Sequence, residues 1–363
     1  MDTTHIILLL AAIVVVVILI IRNRAPKEQV VGYIDRRTSD EKYRKNGRSG
    51  VRSSGNSRPK FNPDAIAWCA SFLDVDRGVL SRTLKNIPDC YKLFSLRKRS
   101  GGFRIISAPR KQLRDIQQTL YRKALFPVHP HPAATGFRAG MSVKDNAGVH
   151  LGRKYVLKTD IHDFFGSIGL SKVRKTFESI GYPYHTAKVM AHICCLKRRL
   201  PQGAPTSPAL SNLVVKEMDE KMARFAQSRG IRYSRYADDM VFSSDEMNFK
   251  EVLASVDRIV REEGFRLNRK KTRLLGEKKR KIITGVSISS GTKLTIPKTQ
   301  KREIRQNVYY VLKYGVKEHQ RRIGSKDPVY LKRLAGQLGF WLSVEPENAY
   351  ARRSLKALGK LKA

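Results

Sequence analysis

Three aspartates stand where carboxylates could act together. Asp160 ends the run KYVLKTD, and Asp238 and Asp239 are adjacent within RYADDMVF. Neighbouring carboxylates at a turn are ordinarily just turn residues. Here the context shifts the reading, because a Pro- and Gly-broken loop, LPQGAPTSPALSN, with Gln202 and Gly203 at its head, lies between the two stretches. Three carboxylates converging on one point repel strongly unless cations neutralise them, so the arrangement implies divalent metal held by hard oxygen ligands. Two such ions about 3.5–4 Å apart support in-line phosphoryl transfer, activating a primer hydroxyl and stabilising leaving pyrophosphate.

The elements that must position these groups follow from patterning. KYVLKTDI and IRYSRYADDMVFSS read as strands, with the paired aspartates at a hairpin turn. AIAWCASFL and RDIQQTLYRKAL have helical spacing. Helices and strands mix without a βαβ rhythm, which predicts an α+β fold, and the chain has no phosphate loop of the GxxxxGKS kind. After Pro297 the sequence turns helical and basic, through KTQKREIRQNVYYVLKYGV and YLKRLAGQLGFWLSVEP. Tyr309, Tyr310, Phe340 and Trp341 there have either nucleic-acid stacking or core packing open to them.

Composition bounds the partner. Across 363 residues, 72 Lys and Arg face 31 Asp and Glu, a formal net charge of +41. So large an excess costs self-repulsion unless a polyanion offsets it. Hydrophobic residues at 41% exclude a merely disordered basic tail. Cys69, Cys90, Cys194 and Cys195 lack paired CxxC spacing, which argues for reduced thiols and against a zinc site or a secreted disulfide scaffold.

The N-terminus carries a different signal. From Ile6 to Ile21 every residue is apolar, and Arg22, Arg24 and Lys27 follow on one side. At 1.5 Å per residue the run spans about 24 Å. The expectation is an uncleaved transmembrane helix over 1–24 with the remainder cytoplasmic, placing the protein in the inner membrane as a single-pass protein. A flexible basic linker over 25–60 comes next, suited equally to anionic head groups, nucleic acid or simple spacing.

Asp160 with Phe164-Phe165, then Leu200-Pro201-Gln202-Gly203 with Thr206-Ser207-Pro208, then Tyr236-Ala237-Asp238-Asp239, resemble the ordered palm motifs of reverse transcriptases over roughly residues 91–300. Upstream, YKLFSLRKRSGGFRIISAPRKQLRDIQ resembles the fingers segment, with Arg104 at the incoming triphosphate. Within that family the chain looks most like the bacterial retron enzymes: Asn146-Ala147-Gly148-Val149-His150 matches their NAxxH motif, and Ile283-Thr284-Gly285 approximates their VTG motif. Ile283 replaces Val, and Gly166 stands where FFPSI-type motifs have Pro.

The resemblance implies a right-hand polymerase, with fingers and palm over 61–298 and a helical thumb over 299–363, behind the N-terminal transmembrane helix. It implies two Mg²⁺ ions, with Mn²⁺ able to replace them, held by Asp160, Asp238, Asp239 and the Ile161 carbonyl. Phe165 would pack under the sugar and exclude a 2′-hydroxyl. Gln202, Gly203 and Arg104 would meet the incoming nucleotide. Lys271 resembles the lysine that protonates pyrophosphate, although the run Arg269-Lys270-Lys271 suits template contacts equally. Asn146, His150, Thr284 and Gly285 would serve RNA recognition. Partners implied are a structured noncoding RNA serving as template and primer, deoxynucleoside triphosphates, the RNA–DNA hybrid product, the membrane, and a separately encoded effector protein. A retron enzyme copies part of its RNA from a guanosine 2′-hydroxyl and acts in defence against phage. Two other readings stay open: another bacterial reverse transcriptase such as that of a group II intron, and a noncatalytic membrane-anchored RNA-binding scaffold.

Overall fold

The structure is a computed structural model and describes residues 59–98 and 101–361. The chain forms two compact units. One comprises 59–95 and 105–279. The other comprises the tip of the first hairpin, 96–98 and 101–104, together with 280–361.

The larger unit opens with helices α1 (Pro63–Phe72) and α2 (Arg77–Lys85). Asn62 caps α1 by accepting from the Asp64 and Ala65 amides, and Pro63 opens the helix where a missing N–H costs nothing. Strands β1 (Tyr91–Arg97) and β2 (Phe103–Pro109) make a two-stranded sheet whose residues are divided between the units. Then follow α3 (Lys111–Leu120), α4 (Val143–Gly148), β3 (Tyr155–Asp160), the single turn α5 (Phe164–Ser167), α6 (Leu170–Ser179), α7 (Tyr184–Cys194), α8 (Ser207–Val214) and α9 (Lys216–Ser228). The unit closes with β4 (Arg232–Tyr236), β5 (Asp239–Ser244), α10 (Phe249–Glu262) and β6 (Arg273–Leu275).

Its centre is a four-stranded antiparallel sheet in the order β4-β5-β3-β6. Val156, Leu157, Met240, Val241 and Phe242 are buried in it. In α10, Val252, Val256, Ile259 and Val260 recur at helical spacing and are buried, so one apolar stripe faces the core. The strands and the hairpin follow the sequence pattern, and the paired aspartates flank the end of the turn.

In the smaller unit β7 (Ile282–Ile283) and β8 (Val286–Ser287) form a minimal hairpin, followed by helices α11 (Lys298–Tyr314), α12 (Val316–Arg322), α13 (Tyr330–Val344) and α14 (Ala349–Gly359). Ile304, Val308, Leu334, Leu338, Trp341 and Leu358 are buried among them. Trp341 is therefore a core residue, whereas Tyr309 is exposed.

The fold class is α+β, and the membrane part of the expectation is corrected. Among the described residues no helix is long and apolar enough to cross a membrane. A span needs about 20 apolar residues; α11 has 17 and carries Lys and Arg along its exposed side. The run Ile6–Ile21 and the linker as far as residue 58 lie outside the described residues.

Candidate active site

The site grows from strand register. β3 and β5 run antiparallel, with Asp160, the last residue of β3, opposite Asp239, the first of β5. Across the β4–β5 hairpin Tyr236 pairs with Asp239, leaving Ala237 and Asp238 as the two turn residues. Ala237 adopts a left-handed backbone with φ 58° and is buried. The Ile161 amide donates to the Asp238 carbonyl at 3.0 Å, tying the end of β3 to the turn.

Asp160, Asp238 and Asp239 each offer a carboxylate oxygen, and these oxygens lie within 4.8 Å of one another. Like charges directly opposed across a sheet destabilise it. Burial, and then the neighbouring Asp238 carboxylate, push the Asp160 carboxyl well above the usual carboxylate range, with Lys271 acting in the opposite sense. Lys271 comes from a short 3₁₀ turn, Arg269–Lys271, and its Nζ is 2.5 Å from Asp160 Oδ2 and 3.8 Å from Asp238 Oδ2. Asn268 adds two bonds to Asp160, its amide to the carbonyl at 2.7 Å and its Nδ2 to Oδ1 at 3.2 Å. The donor set is three hard oxygens in a partly desolvated cluster that already attracts a cation, and it fits divalent metal.

Beside the carboxylates lies a cavity of about 230 Å³ lined by Lys158, Asp160, Asp239, Met240, Lys271 and Arg273. Burial lowers the pKa of Lys158, with Asp239 opposing and Arg273 reinforcing the shift. The lining thus brings Lys158, Lys271 and Arg273 together with Asp160 and Asp239, a mixture of charges suited to a metal–phosphate group.

Phe165 is half-buried and meets Phe164 and Phe137 at centroid distances of 5.7 and 6.2 Å, and Phe137 reaches Tyr236 at 6.5 Å. At Gly166 an added Cβ would meet only the Asp163 carboxylate, the end of an exposed side chain that can swing aside, so the backbone there does not require glycine. Gln202 and Gly203 sit against β2, where the Gln202 carbonyl accepts from the Ser107 amide at 2.8 Å. Gly203 has φ 121°, and a Cβ there would fall 2.9 Å from the Ser107 carbonyl oxygen.

Asn146 and His150 are placed differently from the expectation of RNA contact. Both are fully buried. His150 bridges Ser243 and Ser234, at 2.7 Å on each ring nitrogen, and so joins the two strands of the aspartate hairpin. Asn146 Oδ1 accepts from Thr135 Oγ1 at 2.9 Å and Ser234 Oγ at 2.7 Å. Side chains without exposed surface do not reach an RNA directly. Arg104, Thr284 and Gly285 belong to the other unit. Thr284 and Gly285, with φ 46° and 88°, form the two-residue turn between β7 and β8, where positive φ at both central positions suits a type I′ hairpin.

Sequence reasoning missed Arg235, Asp219, Asn212 and Gly136, which lie behind the turn. Arg235 and Asp219 form an ion pair with no exposed side-chain surface. In a chain with 72 Lys and Arg, one further arginine beside the aspartates carries no signal of its own.

Residues 96–288 match the family described as reverse transcriptase (RNA-dependent DNA polymerase). The chain is 33% identical to the Retron Ec86 reverse transcriptase of Escherichia coli over 278 residues, covering 75% of this chain and 81% of that protein. It is also 33% identical to the Retron Mx65 reverse transcriptase of Myxococcus xanthus over 303 residues, covering 77% and 68%. A solved telomerase from Candida albicans, in complex with a fragment of telomeric RNA, is similar at TM-score 0.45 and 12% identity over 74% of this chain and 62% of that one. The chain belongs to the reverse transcriptase family, and within it to the retron type. It is an RNA-directed DNA polymerase, a nucleotidyltransferase that takes an RNA template and deoxynucleoside triphosphates.

Proposed function

We propose that the enzyme makes a short single-stranded DNA from one structured noncoding RNA, priming from a 2′-hydroxyl of that RNA, in anti-phage defence alongside a separately encoded effector. The observation that carries the catalytic part is the convergence of Asp160, Asp238 and Asp239 at one end of the sheet. These three, with the Ile161 carbonyl, hold two Mg²⁺ ions. Bound there, the ions would acidify the primer hydroxyl and offset the charge of the departing pyrophosphate.

The remaining roles fall to the chain's own groups. Lys271 Nζ, beside Asp160, gives a proton to the leaving pyrophosphate. Phe165, anchored by Phe164 and Phe137, closes the space below the sugar. Gln202, Gly203 and Arg104 meet the incoming nucleotide. Thr284 and Gly285 present a rigid turn to RNA, while Asn146 and His150 affect RNA choice only through the shape of the hairpin they brace. A chain of net charge +41 binds many RNAs by phosphate contacts, so selectivity has to come from folded shape and unpaired bases.

The test is to purify the protein from cells carrying its native flanking DNA and to sequence what it binds. The expected result is one discrete short DNA joined to RNA through a 2′,5′ linkage that debranching enzyme releases. Heterogeneous RNA without attached DNA, or long complementary DNA from diverse templates, overturns the proposal.

A further inference from the structure

The aspartate turn is held from behind by a buried charge network. Arg235 lies on β4, two residues before Ala237, the first residue of the turn, and its guanidinium is fully buried. Nε and Nη2 form a fork onto Asp219 of α9, at 2.8 Å to Oδ1 and 2.6 Å to Oδ2. Tyr233 Oη donates to the same Oδ1 at 2.7 Å. The remaining nitrogen, Nη1, donates to Asn212 Oδ1 of α8 at 3.0 Å and to the Ala237 carbonyl at 2.9 Å.

Asn212 completes the arrangement. Its Nδ2 donates to the Gly136 carbonyl at 2.8 Å. The Gly136 backbone lies so close to the turn that an added Cβ would stand 2.7 Å from the Ala237 nitrogen. The segment leading to Gly136 is itself fastened to β4, through Arg235 N to Ala133 O at 2.8 Å and Thr135 N to Arg235 O at 2.9 Å. One guanidinium therefore joins α8, α9 and the peptide that directly precedes Asp238.

A buried ion pair is weak evidence for stability, because apolar residues of similar volume often replace one at little cost. Its geometry is the informative part. Asp219 fixes the plane of the fork, and the fixed plane aims Nη1 at the Ala237 carbonyl. We infer that Arg235, oriented by Asp219 and Asn212, is a positioning residue for the metal-binding turn: it sets where Asp238 and Asp239 stand relative to Asp160. The inference rests on the reading that these three aspartates hold the cations.

The test uses the full chain, freed of metal, with Mn²⁺ binding followed by electron paramagnetic resonance. Two variants remove the clamp differently. Arg235→Lys keeps the charge and loses the fork. Asp219→Leu combined with Arg235→Met removes the pair in favour of apolar volume. Each is expected to weaken Mn²⁺ binding by about 10- to 100-fold, the usual effect of losing a group that orients a ligand. The Mg²⁺ midpoint for primer extension should move by the same factor, with RNA affinity unchanged. A folded variant with parental Mn²⁺ affinity overturns the inference. Asp239→Asn is the control: if it too binds Mn²⁺ like the parent, the cation-site reading fails, whereas loss in the control alone rejects only the clamp. The unaltered chain supplies a reading that needs no variant. Backbone amides over 235–240 should exchange hydrogen as slowly as those of β3 without metal, and fast exchange confined to 235–240 overturns the clamp.

Discussion

Asp160 and Asp239 face each other across antiparallel β3 and β5 at the last register position of β3. With Asp238 in the adjoining turn, the cluster depends on each carboxylate, since replacing one removes an acidic group without altering any of the chain's 72 Lys and Arg. Asp238→Asn and Asp239→Asn are expected to lower Mg²⁺-dependent primer extension by on the order of 10³-fold, several kcal/mol of lost charge stabilisation. RNA binding should persist. Filter binding and extension on one RNA template check this, and undiminished synthesis by pure Asp238→Asn protein rejects the assignment.

Phe165 is held by Phe164 and Phe137 and is only half-buried, so part of its ring is available to a ligand. Phe165→Val should shift selectivity toward ribonucleotides by about 10- to 100-fold, the range over which small changes of pocket volume discriminate. Competing single-nucleotide incorporation measures it. Lost folding with unchanged selectivity would make the ring a packing element only.

Gly203 combines φ 121° with a close approach to the Ser107 carbonyl. Gly203→Ala should cost about 1–3 kcal/mol through backbone strain and should misplace Gln202. A raised KM for deoxynucleotide is the expected kinetic signature. A variant with parental KM and parental unfolding midpoint would show that the loop relaxes freely.

Burial, and secondarily Arg232, lower the His150 pKa from 6.5 to about 3. The folded state therefore prefers the neutral imidazole, whereas the unfolded chain takes up a proton near 6.5. The stabilisation is complete above that value and is lost as pH falls from 6.5 toward 3, by up to about 1.4 kcal/mol per pH unit. His150→Gln, which stays neutral between Ser234 and Ser243, should flatten that slope. Urea unfolding at several pH values compares the two proteins, and identical slopes would refute the buried-histidine account.

Much of this site was legible because its chemistry is written in local order. Asp160 at a strand end and Asp238 and Asp239 at a hairpin turn carry their reason in their immediate neighbours, whereas Gly203 is marked by its broken loop but constrained by Ser107, far away in sequence. Asn146 and His150 were located by pattern, yet their burial was not readable, because a polar residue inside a core differs from a surface one only through partners distant in sequence: Ser234, Ser243 and Thr135. Arg235 was hidden for the opposite reason, being one cation among many until Asp219 and Asn212 are brought to it. The apolar run Ile6–Ile21 has the composition of a membrane span, but no described helix does.

The pairing of β3 with β5 also makes the metal site a reporter of correct folding. Side chains alternate faces along a strand, so a slip of one residue would set Thr159 opposite Asp239 and turn Asp160 to the other side of the sheet. The two strands are far apart in sequence, so pairing them carries the entropic cost of closing a long loop. A chain in the wrong alignment then has no complete cation site, while cation binding adds stability to the right one alone. The three carboxylates therefore come together only in the observed alignment, so the candidate cation site and the register of β3 on β5 stand or fall together.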